Sequence, residues 1–287
     1  MFDMKVPMLL HAPPSDTGSA EEAPVSAYER AAEQGVDPRC IPQYLDGTPP
    51  IGAEIVAPTY SAEHHANWSY LFNRQMALLP GRAGASYMEG VRILGMDDKG
   101  IPALADLSAR MEAATGWRIA RIPGLLHEKD FFGLLADRVF PSTDYIREKH
   151  ELDYTPAPDC FHDMFGHIPM LTEPAVADFY HLFGKTALKA TGIQRTWLER
   201  LHWFTIVFGL VRQDNGLRIF GAGIISSKNE VTHALSETVD VRPFSMEAVI
   251  NQDYEVWHLQ PILFALESFE QLEDAFRTWT REVGLAD

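Results

Sequence analysis

Two histidines, His162 and His167, stand five residues apart in PDCFHDMFGHIPM, residues 158–170. Imidazole is the commonest side-chain ligand for a transition metal, and two that converge can hold one. An acid, Asp163, follows the first, and Gly166 precedes the second. On a regular α-helix, residues five apart point roughly 140° away from each other. The spacing therefore predicts convergence only if the helix ends between them, and Gly166 and Pro169 supply such an ending. One ligand would come from a last helical turn and one from the loop after it. Two ordinary histidines, one buried and one exposed, satisfy the same spacing, and both readings stand on these residues alone.

Other patterns fall away. HEKDF at His127 opens like a zinc-protease HExxH, but Phe131 stands where the second His belongs. GAGIIS at Gly221 has two glycines of a dinucleotide loop, no third, and no surrounding βαβ unit. GxSxG and a phosphate-binding GxxxxGK[ST] loop are absent from the sequence.

The elements that must position the pair are mostly helical. Helical period starts after Ser61, an N-cap, and runs to Leu79. GRAGASYMEGVRILG closes at Gly95; IPALADLSARMEAATG has Pro102 near its start and Gly116 as its stop. TGWRIARIPGLL reads as a strand and loop, and HEKDFFGLLADRV as a helix broken by Pro141. VADFYHLFGKTALKA and RTWLERLHWFTIVFGLV read as two long amphipathic helices. GLRIFGAGII has strand character, SSKNEVTHALS a helix entered through Ser226 and Ser227, and YEVWHLQPILFALES a strand before a helical tail. Residues 1–57 read as an irregular N-terminal arm with one short helix, Val25 to Gln34; residues 58–287 read as one catalytic domain with a C-terminal helical tail. The expected fold class is mainly α with a few short β-strands.

Composition bounds the partners. The chain has 287 residues, enough for one large domain with a substantial core. With 24 Lys plus Arg against 40 Asp plus Glu, the net charge of −16 argues against nucleic acid and anionic membrane, both of which reward clustered cations. A small-molecule substrate fits better. Two cysteines, Cys40 and Cys160, make no disulfide framework and fit a reducing, cytoplasmic setting. No signal peptide or bilayer-length apolar run is read from the sequence. A monomer or small homo-oligomer is expected.

PDCFHDMFGHIPML resembles the signature of the pterin-dependent aromatic amino acid hydroxylases, of the bacterial phenylalanine hydroxylase type. IPGLLHEKDFF, DYIREKHELDYTPAPD, RLHWFTIVFGLV and FGAGIISSKNE resemble that family in the same order, so the likeness runs from about Pro58 to Phe276. The likeness implies the short bacterial form, in which no regulatory domain is expected before the match and no heptad-bearing tail after it. The resemblance implies an Fe(II) mono-oxygenase in which tetrahydrobiopterin or a related reduced pterin supplies electrons, O2 is the oxidant, and an aromatic amino acid, phenylalanine by default, is hydroxylated. Family iron is held by two His and one Glu, the facial triad with open positions.

By motif, His162 and His167 match the two imidazole ligands. Arg147 and Asp159 match the site for the substrate carboxylate, which a guanidinium grips bidentately; Thr155 and Pro156 match the same wall, and Trp203 the aromatic lining the ring pocket. Ser226 matches the hydroxyl supporting the first His, and Glu230 an acid near substrate and pterin. Gly124, Leu126 and Phe131 match the pterin loop, with Phe131 as the stacking ring, and Asp163 an acid that meets pterin through water.

The resemblance also implies a Glu ligand inside WFTVEFGL. Here the stretch is WFTIVFGL, and the matching position is Val207, which cannot bind a metal. Trp203, Phe204 and Thr205 hold the register before it, and Phe208, Gly209 and Leu210 after it. His202 also departs, since Tyr is usual there. Three readings follow: hydroxylation on a two-His iron completed by water, Glu230 or substrate; a halide or other added ligand at the open position, giving halogenation or a different oxidation; or an amino acid or pterin-binding homologue without turnover. An introduced substitution of the Glu codon is a fourth. Glu199 is rejected as a substitute because eight residues put it about 12 Å away along a helix. His202, five before Val207, is expected to face elsewhere. Both retained imidazoles favour the iron mono-oxygenase.

Overall fold

The computed structural model describes residues 37–286 except Tyr154, Pro156, Asp214, Asn215 and 255–258. The expected Val25 to Gln34 helix and Pro156 lie outside the described residues. Between residues 37 and 57 the chain makes two short 3-10 turns, Pro38–Cys40 and Gly52–Glu54, and isolated bridges at Gln43 and Ile51 tie it to Leu126 and Ala120.

Helices dominate, as the periodicity predicts. Ser61 caps Ala62–Leu78, its hydroxyl accepting from His64 N–H at 3.1 Å. Ala85–Leu94 and Leu104–Thr115 end at Gly95 and Gly116, whose positive φ angles of 58° and 75° suit glycine at a helix stop. Pro174–Ala187 starts on its proline, where a missing N–H costs nothing. Ser227 caps Lys228–His233, and Ser268 caps the final helix, Phe269–Glu282.

Two sequence expectations are corrected. Pro141 does not break the Glu128–Ala136 helix; the chain turns at Arg138 (φ 55°), and Pro141 lies inside strand β2, Val139–Thr143. Among the described residues β2 pairs only with β1, Arg118–Ile122, in parallel, so β2 is an edge that tolerates a residue without an N–H. The helix begun by RTWLERLH stops being α at His202: Ile193–His202 passes into a wider turn, Trp203–Val207, and then into β3, Leu210–Gln213. β3 lies in a four-stranded sheet ordered β4-β3-β6-β5, with β4 Gly216–Ile219, β5 Asp240–Pro243 and β6 Ile262–Leu266. β3 and β4 form the antiparallel pair; the other neighbours are parallel.

The core anchors the histidine segment from behind. Phe161 and Phe165, four apart, stack at 4.7 Å on one face. Trp68 meets Phe161 edge-on at 5.3 Å, and Phe72 meets Phe165 at 5.5 Å. The Tyr87 hydroxyl donates to Phe165 O at 2.8 Å. All five rings are buried, and each Phe contributes about 1.5–3 kcal/mol by leaving water. The opposite face of the segment is thereby fixed for chemistry.

Candidate active site

The chain does not leave its helix between His162 and His167. It widens instead: Ile168 N–H bonds Asp163 O, an i→i+5 closure that makes His162–His167 a π-helical turn. In such a turn residues five apart stack over one another. The spacing that splays two side chains on an α-helix therefore brings these two together. Their Nε2 atoms lie 3.1 Å apart and their rings are nearly perpendicular, at 86°. Gly166 permits the turn, because a Cβ there would stand 2.9 Å from Ala222 O on the neighbouring Ala222–Ile225 helix.

The donor set fits a metal. Ser226 Oγ donates to Ala222 O at 2.8 Å, so it accepts the Nδ1 proton of His162, also at 2.8 Å. That fixes the tautomer with a bare Nε2. The Tyr180 hydroxyl is 3.0 Å from His167 Nδ1 and holds the second ring. A separation of 3.1 Å is what two adjacent octahedral ligands subtend with bonds of roughly 2.2 Å. Burial, then the nearby Arg147 and His202, pushes His162 down to about 3. Burial and then His162 hold His167 well below the usual imidazole range. Both are neutral at pH 7, the form a metal binds.

The pair opens on a cleft that Gly124, Leu126, Phe131 and Asp163 also line. The structure thus brings together all four residues expected at the pterin and both expected at the metal. Asp163 accepts from Thr143 N–H at 2.7 Å, and burial raises it to about 7.

Arg147 and Asp159 meet each other. Nε and Nη2 of the guanidinium each donate to the carboxylate at 2.8 Å, with both side chains buried. Asp159 also accepts from Arg147 N–H at 2.9 Å and His162 N–H at 3.0 Å, tying the arginine to the first turn of the histidine segment. Burial opposes its charge, but Arg147 outweighs burial and holds it below the usual carboxylate range. Thr155 is buried and donates to Ala157 O at 2.9 Å.

Trp203 and Glu230 are not among the residues lining the cleft. Trp203 stacks on Tyr254 at 4.4 Å and donates to Gln260 Oε1 at 2.9 Å. Glu230 accepts from Gln260 N–H at 3.3 Å; its Oε2 is buried without a partner, and burial raises the group to about 8.

Val207 is fully buried, and its Cγ1 would be 2.8 Å from a Cβ on Gly223. It packs as an apolar residue. A second i→i+5 bond, Phe208 N–H to Trp203 O at 2.9 Å, takes His202 and Val207 out of regular α-helical phase. His202 is 1 % exposed, edge-on to the cleft residue Phe131 at 6.2 Å, and neither ring nitrogen has a partner. Sequence reasoning missed this neighbour because it assumed α-helical phase. It also missed Tyr180 and Thr143, which have no spacing relation to His167 and Asp163, the residues they bond.

Similarity to known proteins agrees with this geometry. Residues 49–285 match the family model described as biopterin-dependent aromatic amino acid hydroxylase, which begins before the expected boundary at residue 58. The chain is 44% identical over 218 residues to phenylalanine-4-hydroxylase of Chromobacterium violaceum, covering 75% of this chain and 73% of that protein. It is 34% identical over 245 residues to tyrosine 3-monooxygenase of Rattus norvegicus, covering 84% of this chain and 48% of that protein. A crystal structure of the Chromobacterium violaceum enzyme with bound iron(III) and oxidized 7,8-dihydrobiopterin superposes with a TM-score of 0.75 at 42% identity, over 78% of this chain and 83% of that one. The apo cold-active phenylalanine hydroxylase from Colwellia psychrerythraea 34H gives 0.74 at 35% identity, over 80% and 91%. Fold, cleft and family model converge, and the chain belongs to the biopterin-dependent aromatic amino acid hydroxylase family.

Proposed function

We propose that this chain is an iron- and tetrahydropterin-dependent mono-oxygenase of an aromatic amino acid, phenylalanine by default, working from a metal site without the family carboxylate. The observation that carries the reading is the pair of imidazole Nε2 atoms at 3.1 Å, opening on a cleft that also holds Phe131 and Asp163. Iron with a reduced pterin supplies the two-electron activation of O2 that places one oxygen atom on the ring and the other in water.

The chain's own residues bind, orient and exclude water. His162 and His167 hold the metal, and Ser226 and Tyr180 hold the two rings. Phe131 offers a face for the pterin, with Gly124 and Leu126 as the wall beside it. Asp163, with its carboxyl raised by burial to about 7, meets the pterin through water. Asp159 occupies Nε and Nη2 of Arg147, so Nη1 is the edge presented to the amino acid carboxylate. By motif, Thr155 belongs to that wall, as does Pro156, which lies outside the described residues, and Trp203 and Glu230 are assigned to the ring pocket on the same ground. The domain limits, an arm over 1–57 and a catalytic unit over 58–287, belong to the same proposal.

The apolar packing of Val207 favours a second reading, in which an added ligand such as a halide takes the third position and the product changes. One experiment separates them. The protein is loaded anaerobically with Fe(II), given tetrahydropterin, an aromatic amino acid and chloride or bromide, then exposed to O2, with products read by mass spectrometry. Tyrosine from phenylalanine supports the first reading. A halogenated or differently hydroxylated product supports the second. Unoxidised pterin with no product rejects both and leaves a binding protein.

A further inference from the structure

Residues 37–45 touch two of the segments that wall the cleft. At one end this strap holds the pterin loop. Gln43 N–H donates to Leu125 O at 2.9 Å, and His127 N–H donates to Gln43 O at 2.8 Å. Tyr44 stacks on the His127 ring at 4.2 Å, and Leu45 N–H donates to Asp130 Oδ2 at 2.8 Å. His127 is the N-cap of the Glu128–Ala136 helix, which carries Phe131. The strap is thus bonded to the loop and to the helix start that set the Phe131 ring in the cleft.

At the other end Arg39 holds the segment around Arg147. Asp37 caps the Pro38–Cys40 turn and accepts from Arg39 Nε at 3.0 Å, which fixes the guanidinium against its own turn. Both Nη atoms also donate to the Glu151 carboxylate, Nη1 at 3.1 Å. Glu151 in turn accepts from Glu148 N–H at 3.1 Å, closing the turn that follows Arg147. The guanidinium carbon lies 5.6 Å from the centre of the Tyr145 ring, two residues before Arg147. The Tyr145 hydroxyl donates to Pro158 O at 2.6 Å. Pro158 lines the cleft, as Leu125 does; Arg39, Gln43 and Tyr44 do not. Partly exposed ion pairs such as Arg39–Glu151 contribute little to stability. A two-pronged guanidinium–carboxylate contact does fix direction as well as distance, and alignment is the use that remains for it.

We infer that Arg39 is a positioning residue for both ligands of the cleft. Through the strap it sets the pterin loop and the Arg147 segment at a fixed spacing, so a disturbance at either end of the strap reaches both walls. The inference rests on the pterin and amino acid assignments proposed above, and adds to them a residue that lines neither site.

The test looks for effects that cross from one wall to the other. Phenylalanine and 7,8-dihydrobiopterin are titrated separately by calorimetry into wild type, Arg39→Gln, Glu151→Gln, the double change and Tyr44→Ala. Glu151→Gln keeps an acceptor for Glu148 N–H and removes the charge. Arg39→Gln is expected to weaken both ligands, by roughly tenfold for members of one ion-pair network. Glu151→Gln should match it, and the double change should be no weaker than either single change. Tyr44→Ala, at the pterin end, should weaken phenylalanine as well as pterin. Co(II) affinity, which reads the His162 and His167 pair, should stay at the wild-type value and report an intact fold. Each variant weakening only the nearer ligand overturns the inference and leaves two local contacts. Unchanged ligand affinities overturn it, as do additive losses in the double change. Co(II) affinity falling in parallel also overturns it, because the loss is then a general loosening. A ligand that wild type does not bind overturns the assignment of that ligand to the cleft, and the shared positioning role with it.

Discussion

His162 and His167 are set five residues apart across a π-helical turn that brings their Nε2 atoms to 3.1 Å, and a second such turn runs over Trp203–Val207. The two turns differ in what they present. The first offers two polar rings to one cleft. The second ends on Val207, an apolar side chain fully buried against Gly223.

Val207→Glu is expected to make stability depend on metal. Without a cation, a carboxylate at this fully buried position costs several kcal/mol or takes up a proton. With Fe(II) or Co(II) it becomes a ligand and recovers that energy. Thermal melts should show the variant well below wild type without metal, and a larger metal-induced rise than wild type. An equal rise in both proteins would mean that a carboxylate at 207 does not reach the ion.

Ser226→Ala and Tyr180→Phe each release one imidazole from its hydroxyl partner, at 2.8 Å and 3.0 Å respectively. Each should weaken metal binding roughly 10–100-fold with little change in fold. Calorimetric titration with Co(II) reads the change. Wild-type affinity in both variants would show that ring orientation comes from packing alone.

Much of this was legible in the sequence, and the misses share a cause. Caps and stops at Ser61, Gly95 and Gly116 fall where local chemistry puts them, because capping depends on a few adjacent residues. The cleft residues Gly124, Leu126, Phe131 and Asp163 were named from motif and do gather. Phase failed at both π turns, since an extra residue in a helical turn leaves no local signal; only tertiary pressure, such as Gly166 against Ala222, selects it. Pro141 has the local chemistry of a helix breaker, but strand β2 is an edge and accepts it. Tyr180 reaches His167 from a helix whose own pattern records only amphipathicity.

The Arg147–Asp159 pair makes a prediction about removing one partner or both. Asp159→Asn leaves a buried guanidinium without its counter-charge and should cost about 3–5 kcal/mol. Arg147→Met with Asp159→Leu removes both charges and should cost less, although the N–H groups of Arg147 and His162 lose their acceptor. Urea midpoints of the two variants decide it. A double variant less stable than Asp159→Asn would show that the backbone bonds to Asp159, rather than the ion pair, dominate.

Glu230 predicts a pH slope whose sign follows from its burial. Its folded pKa is raised from 4.5 to about 8, so the folded chain keeps a proton that the unfolded chain releases. Its contribution to stability is full below pH 4.5 and is lost as pH rises to about 8, at up to about 1.4 kcal/mol per pH unit. Asp163, raised from 3.8 to about 7, adds a second slope of the same sign at slightly lower pH. Glu230→Gln should abolish the first slope and keep the second. Urea unfolding from pH 4.5 to 8.5 should find the variant close to wild type at the acid end and more stable, by a few kcal/mol, at the alkaline end. Parallel curves across the range would mean that Glu230 ionises in the folded chain as freely as in the unfolded one, and that its unpartnered Oε2 is reached by water.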